Sequence, residues 1–301
     1  MQTPRLSVTV VSINTEALVT RCLTALMAQA KADVVEVLVV ADWHRSGGTP
    51  DERLKRRFPD VRWIGAPEGC TVPRMRSLAI AASRGEIVAL LEDDCVVEDD
   101  WCRTVLDAHR TPDLAIGGAV EPGPYHRGLD WAVYFCEYGR FMLPLTPNGD
   151  AALPGNNVAY KRAALTQLPR GCQDAFYDVQ VHWAWQKAGL PMRADPALVV
   201  HNVNSWSLGH VTHVPYHHGR AFAGQRFAAL PAWRRVVLGV LCLPLPVLKV
   251  WRIVKDTVRR RRLLGRLVQA LPWIALFTTS WSLGEGMGCV FGPGDSASKW
   301  R

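Results

Sequence analysis

The chain has 301 residues, 49% of them hydrophobic and 21% charged, which is enough apolar length to bury a large core and excludes a disordered chain. Its net charge of +8 is concentrated in one place: ten basic residues and the single acid Asp256 stand between Arg234 and Arg266, so that stretch carries +9 and the rest of the chain −1. A local excess of this kind suits an anionic membrane surface, and with no zinc-finger spacing or aromatic RNA-binding motif beside it, no nucleic-acid partner is expected.

Met1 to Arg5 leads directly into a strand-like stretch without a long apolar core, so no signal peptide is expected and the first domain is placed on the cytoplasmic side. Leu6 to Ile13 reads as a buried strand, Glu16 to Gln29 as a helix and Val34 to Val40 as a second strand ending at Ala41 and Asp42. A loop with Gly47, Gly48 and Pro50 follows, then a helical run Asp51 to Arg57, a strand Val61 to Ile64, a helix Met75 to Ser83 and a strand Ile87 to Leu91. This alternation predicts an α/β fold with a mostly parallel central sheet flanked by helices, in which ligands gather beyond the carboxyl ends of the strands. Asp99 to Ala108 is again helical and Leu114 to Val120 strand-like, whereas Glu121 to Asn148, rich in aromatics, Gly and Pro, has no clean period and reads as a substrate-facing excursion. Strand and helix signals return at Asn157 to Leu168, Asp178 to Ala188 and Ala197 to His201.

The character changes after residue 225. Val236 to Leu248 is apolar but broken by Pro244 and Pro246, and Leu267 to Leu283 is apolar with Gln, Thr and Ser interruptions, so each run is short or marginal for a membrane span. A spanning hairpin would put the arginines on the side away from a cytoplasmic catalytic domain, against the positive-inside tendency. An interfacial or re-entrant pair lying on anionic headgroups avoids that conflict and is the preferred expectation, with a true hairpin and ordinary soluble helices as alternatives. The expected division is therefore residues 1–225 as the catalytic domain and 226–301 as a hydrophobic and basic helical appendage. Eight scattered cysteines with no CxxC pair predict free, mostly buried thiols, Cys95 and Cys102 included.

The chemistry concentrates at Glu92, Asp93 and Asp94, directly after the strand Ile87 to Leu91. Three adjacent carboxylates repel one another, so a divalent cation or strong solvation must stabilise them. An acidic triplet alone is also what a solvated loop or a helix cap looks like. The ordered set of motifs from Ser7 to Arg220 resembles the inverting family 2 glycosyltransferases of the GT-A fold. The strand Val8 to Ile13, the Ala41-Asp42 strand end, the segment Arg76 to Ile80 with Gly85-Glu86-Ile87, and Glu92-Asp93-Asp94 carry the first half of the likeness. Leu153 to Arg162, with Gly155, Asn156 and Asn157, and Asp174 to Trp183 carry the second.

That resemblance implies a nucleotide-diphosphate sugar donor, a saccharide or lipid-linked acceptor, and Mg2+ or Mn2+. On the donor side it implies Asp42 near the base or ribose, Arg76 near the diphosphate with Arg74 in reserve, Asp93, and Arg220 as a phosphate contact. It implies Asp94, Glu92 and His201 as metal ligands, Asn156, Asn157 and Trp183 on the acceptor side, and Asp178 rather than Asp174 as the catalytic base. Ser77, Ala79, Tyr177 and Ala184 depart from the family's usual residues, which keeps a non-catalytic sugar-binding or scaffold protein as an alternative. A nucleotidyltransferase, the other enzyme class, would require a Gly- and Lys-rich phosphate loop that the amino-terminal region lacks. The Gln, Arg and Trp motif of processive synthases is also missing, so one sugar per encounter is expected. Trp281 to Gly288 with Phe291-Gly292 resembles the carboxyl-terminal segment of membrane-associated relatives.

Overall fold

The computed structural model describes residues 3–31, 34–42, 52–145, 152–169 and 171–299; the expected loop at Gly47, Gly48 and Pro50, Asp51, and the end of the excursion at Asn148 lie outside them. The chain divides into two compact units, one of Met1–Gly123 with Phe141–Asn204 and one of Pro124–Arg140 with Ser205–Arg301. The boundary expected after residue 225 falls inside the second.

In the first unit, segments rich in Val, Ile and Leu form the strands β1 (Leu6–Ser12), β2 (Val35–Ala41), β3 (Val61–Gly65) and β4 (Ile87–Glu92), parallel to one another in the order β3, β2, β1, β4. β1, β2 and β4 are buried on both faces, as helix-covered parallel strands require, and β3 at the edge is only partly so. Among the described residues this half carries α1 (Glu16–Met27), α2 (Glu52–Arg57) and α3 (Val72–Ala82). The sheet then becomes mixed. The short β5 (Cys95–Val97) and α4 (Trp101–Ala108) lead into β6 (Ala115–Pro122). After the excursion come β7 (Asn157–Lys161), α6 (Arg162–Leu165), α7 (Asp178–Lys187) and β8 (Met192–Asn202). β7 lies between β4 and β6 and runs antiparallel to both, β8 runs parallel to β6, and β5 closes the edge antiparallel to β8. The expected α/β architecture is present, with the antiparallel insertion as its main addition.

Within Glu121 to Asn148 the structure forms α5 (Gly128–Glu137), where a patternless excursion is expected. Leu129 to Phe135 are all buried, and a helix buried on every side has no polar stripe to reveal its period. α5 belongs to the second unit, with α8 (Gly209–Arg226), α9 (Ala232–Leu241), α10 (Leu245–Arg260) and α11 (Leu264–Phe291). Pro244 sits at the break between α9 and α10, and Pro246 lies in the first turn of α10, where its missing N–H costs no helical hydrogen bond. Among the described residues no single helix is long and apolar enough to cross a membrane; α9 and α10, bent by 54° at their junction, pass by length and composition only as a pair. All eight cysteines are free.

α11 continues for 28 residues through its Thr and Ser positions. Thr278 Oγ1 returns a hydrogen bond to the Ile274 carbonyl (2.8 Å), and Ser280 Oγ donates to the Thr212 carbonyl of α8. The two helices approach closely because glycine stands where they cross: a Cβ at Gly284 would collide with the Tyr216 carbonyl, and one at Gly288 with the Arg220 carbonyl. Backbone cannot yield as a side-chain tip can. Gly284→Ala is therefore expected to cost about 1–3 kcal/mol in thermal unfolding. Gly265→Ala, where a Cβ meets nothing within 4 Å, should be neutral or stabilising.

Candidate active site

Parallel pairing aligns the carboxyl ends of β1, β2 and β4: Ser12 is level with Ala41, and Val11 with Glu92. Ser12 to Asn14, Asp42 and Glu92 to Asp94 therefore collect along one sheet edge, the place where such folds bind ligands. Asp42 is buried there, its amide donating to the Ser12 carbonyl at 3.4 Å.

The three carboxylates of the acidic run have different surroundings. Asp93 points inward and is fully buried: Ser12 Oγ (2.8 Å) and the Asn14 amide (3.0 Å) donate to its Oδ2, and Asn14 Nδ2 donates to Oδ1 at 2.6 Å. Burial still lifts its pKa to about 6. Asp94 is also buried, with Asn204 Nδ2 donating to Oδ2 at 3.1 Å and the Cys95 thiol 3.5 Å from Oδ1. Burial, reinforced by Glu92 and Asp93, raises Asp94 to about 7 against hydrogen bonds from Asn202 and Asn204. Glu92 instead accepts from Arg76 Nη2 at 2.8 Å.

Arg76 reaches in from α3, buried, and its other nitrogen, Nη1, donates to Asp178 Oδ1 at 2.7 Å. Burial works against the guanidinium charge, but Asp178 and Glu92 more than offset it and hold its pKa above the usual value. One side chain thus joins the acidic run to the start of α7, 102 residues away in sequence. Gly155 permits the approach. A Cβ there would collide with Asp178 Oδ2 and lie 2.8 Å from Arg76 Nη2.

Beneath this pair lies a second polar contact with no counterpart in the sequence reading. Tyr160 of β7 is completely buried, its Oη 2.7 Å from His182 Nε2 on α7. Burial pushes His182 down to about 4 and Tyr160 well above its usual value, so both are neutral.

The remaining expected site residues fall in different places. Asn156 is buried and donates to Cys95 Sγ at 3.3 Å, directly beside Asp94. Asn157, the next residue on the strand, has its amide committed to the core: it accepts from Trp101 Nε1 (3.1 Å) and donates to the Ala119 and Leu198 carbonyls (2.9 and 3.0 Å). It fastens β6, β7 and β8 together, and an acceptor contact would break those bonds. Trp183 is exposed on α7. Arg220 belongs to the second unit, where its Nε donates to the Gly292 carbonyl at 3.2 Å.

Glu92, Asp94 and His201 are not assembled into one ligand set. Strand side chains alternate between faces, and on β8 it is Asn202 that bonds Asp94. His201 takes the other face, 2.6 Å from Glu98 Oε1 and 3.4 Å from the Pro122 carbonyl. Among the described residues no group of three or more His, Cys, Asp or Glu is arranged to hold an ion. The chemistry of Asp94 nonetheless suits a hard divalent cation, since it offers carboxylate oxygens in a buried excess of negative charge.

Residues 7–167, more than half of the chain, match the Glycosyl transferase family 2 domain. The fold is that of a GT-A-like α/β domain, and the chain belongs to glycosyl transferase family 2. A curated relative, "Putative glycosyltransferase EpsH" of Bacillus subtilis (strain 168), is 30% identical over 111 residues, which is 35% of this chain and 30% of that protein. The match therefore spans less than a third of that relative's length. Among solved structures, the mannosyltransferase PcManGT from Pyrobaculum calidifontis in complex with GDP-Man and Mn2+ superposes with a TM-score of 0.57 at 17% identity, over 96% of this chain and 88% of the other. GalNAc-T7 with UDP, GalNAc and Mn2+ gives 0.51 at 15% identity, over 68% and 45%. At these identities the structural likeness speaks for the fold.

Proposed function

We propose that this chain is an inverting, non-processive glycosyltransferase that moves one sugar from a nucleotide-diphosphate donor to a saccharide or lipid-linked acceptor of a cell-envelope or polysaccharide pathway. The observation that carries the reading is the bridge from Glu92 through Arg76 to Asp178, which joins an acidic strand edge to a carboxylate on another element. Two similar folds were solved with a nucleotide or nucleotide sugar and Mn2+, and that supports the choice of donor class.

In this mechanism Arg76 holds Oδ1 of Asp178, and Oδ2, lying over Gly155, accepts the proton of the acceptor hydroxyl. The acceptor oxygen forms its bond to the anomeric carbon as the bond to the nucleoside diphosphate breaks on the opposite face, the electron pair leaving with the diphosphate. Asp42 positions the base or ribose, Asp93 shapes the turn after β1 by holding Asn14, and Asn156 lies on the acceptor side with Trp183. Asp94 is the residue that would hold Mg2+ or Mn2+. When bound, such an ion neutralises charge on the departing diphosphate. Isothermal titration with UDP and GDP tests the donor side: binding should need Mn2+ or Mg2+ and be lost in Asp94→Ala. Equal affinity with a chelator, or in the variant, would reject the metal assignment.

The second unit supports a membrane partner. Trp233, Val240, Leu243, Val247 and Trp251 are all more than half exposed on α9, α10 and the turn between them. Arg234 and Lys255 sit 5.1 and 4.8 Å from the Trp233 and Trp251 ring centres, the apolar-body, charged-tip arrangement of an interfacial helix. We place this elbow, peripheral or re-entrant, on the anionic cytoplasmic face of a membrane. Phosphatidylglycerol vesicles should bind the protein and release it in high salt, and release by detergent alone would favour a spanning hairpin.

A further inference from the structure

The Tyr160 and His182 contact lies one turn along α7 from Asp178, the proposed base. Asp178 opens α7, and the buried face of that helix continues through Val181, His182 and Trp185, the one-turn spacing that puts residues on a common side. His182 is therefore one turn below Asp178. Its partner Tyr160 is clasped on three sides: its ring stacks on His182 at 5.8 Å and meets Phe176 and Trp185 edge-on at 5.4 and 5.9 Å. The Phe176 amide donates to the Pro73 carbonyl at 2.8 Å, and Pro73 lies on α3, the helix that carries Arg76. Both rings feel the charges of Asp178 and Arg76.

An aliphatic pair would fill this volume equally well. A neutral polar pair is costly in a core unless its hydrogen bond is made, and once made it fixes the rotation of α7 about its axis, and with it the direction of the Asp178 carboxylate. We infer that the hydrogen bond between Tyr160 and His182 is a positioning device for the base: it aims Asp178 at the acceptor hydroxyl, so the rate of transfer depends on two residues that contact no substrate. The inference rests on the assignment of Asp178 as the base. Neither residue touches the acidic run, so donor affinity should not depend on the pair.

The test compares Tyr160→Phe, His182→Leu and the conservative His182→Gln with wild type, each first shown to be folded by thermal unfolding. With whichever of the UDP-, GDP- or dTDP-sugars wild type turns over, Tyr160→Phe and His182→Leu should lose about 10–100-fold in kcat, the range expected for a misaimed group. Donor KM and Mn2+-dependent UDP or GDP affinity should be unchanged. His182→Gln, which can still hydrogen-bond Tyr160, should recover most of the rate. Unchanged kcat in folded Tyr160→Phe and His182→Leu, with Asp178→Asn inactive, would overturn this inference and leave the assigned base standing. If wild type turns over none of the donors, the proposed function falls, and 15N imidazole spectra decide the inference. The His182 ring signals should then shift in both Tyr160→Phe and Asp178→Asn; indifference to Asp178→Asn would overturn it.

Discussion

Asp178→Asn should reduce kcat by about 10²–10⁴-fold, the usual contribution of a general base, while donor binding stays near the wild-type value. Asparagine has the shape of aspartate and can still accept from Arg76 Nη1 through its carbonyl oxygen, so the link to Glu92 and the start of α7 are kept. What disappears is the oxygen able to take the acceptor proton. Steady-state release of nucleoside diphosphate, measured with and without acceptor beside direct titration of the donor, separates the two effects. A kcat within a few-fold of wild type would remove Asp178 from the mechanism.

Gly155→Ala should be nearly as damaging to activity and far less so to the fold. The added Cβ would occupy the space of Asp178 Oδ2 and crowd Arg76 Nη2, both tips of side chains that can swing aside. The expected cost is about 100-fold in kcat, because displacement on the order of 1 Å at a reacting group has that effect, with a melting temperature close to wild type. This separates Gly155 from Gly284, where the colliding atom is backbone and the loss should appear in stability. A Gly155→Ala enzyme of full activity would mean that the contact between Asp178 and Arg76 is dispensable.

The features legible in the sequence share a local signal. β1, β2 and β4 are dominated by Val, Leu and Ile, α7 begins at the residue expected to start it, and the acidic run ends its strand as anticipated. What could not be read depends on partners distant in the chain. Nothing near His201 reveals that alternation turns it toward Glu98 and gives Asp94 to Asn202. Asn156 and Asn157 are adjacent and chemically identical, yet one reaches the Cys95 thiol that bonds Asp94 and the other is consumed by bonds to β6, β8 and Trp101. Ser12 and Asn14 had a visible cue, polar residues at the end of an apolar strand, but their purpose becomes apparent only when Asp93 is found between them. α5 hides because it is buried all round, and α11 because its Thr, Ser and Gly positions resemble interruptions until α8 is packed against them.

The central claim is that one carboxylate, Asp178, drives single-displacement sugar transfer at this strand edge. Proton NMR of the glycoside formed from an α-linked nucleotide-diphosphate sugar tests it most directly. A β-linked product, made by wild type and not by Asp178→Asn, is the predicted result; an α-linked product, or the same product at the same rate from the variant, would contradict it.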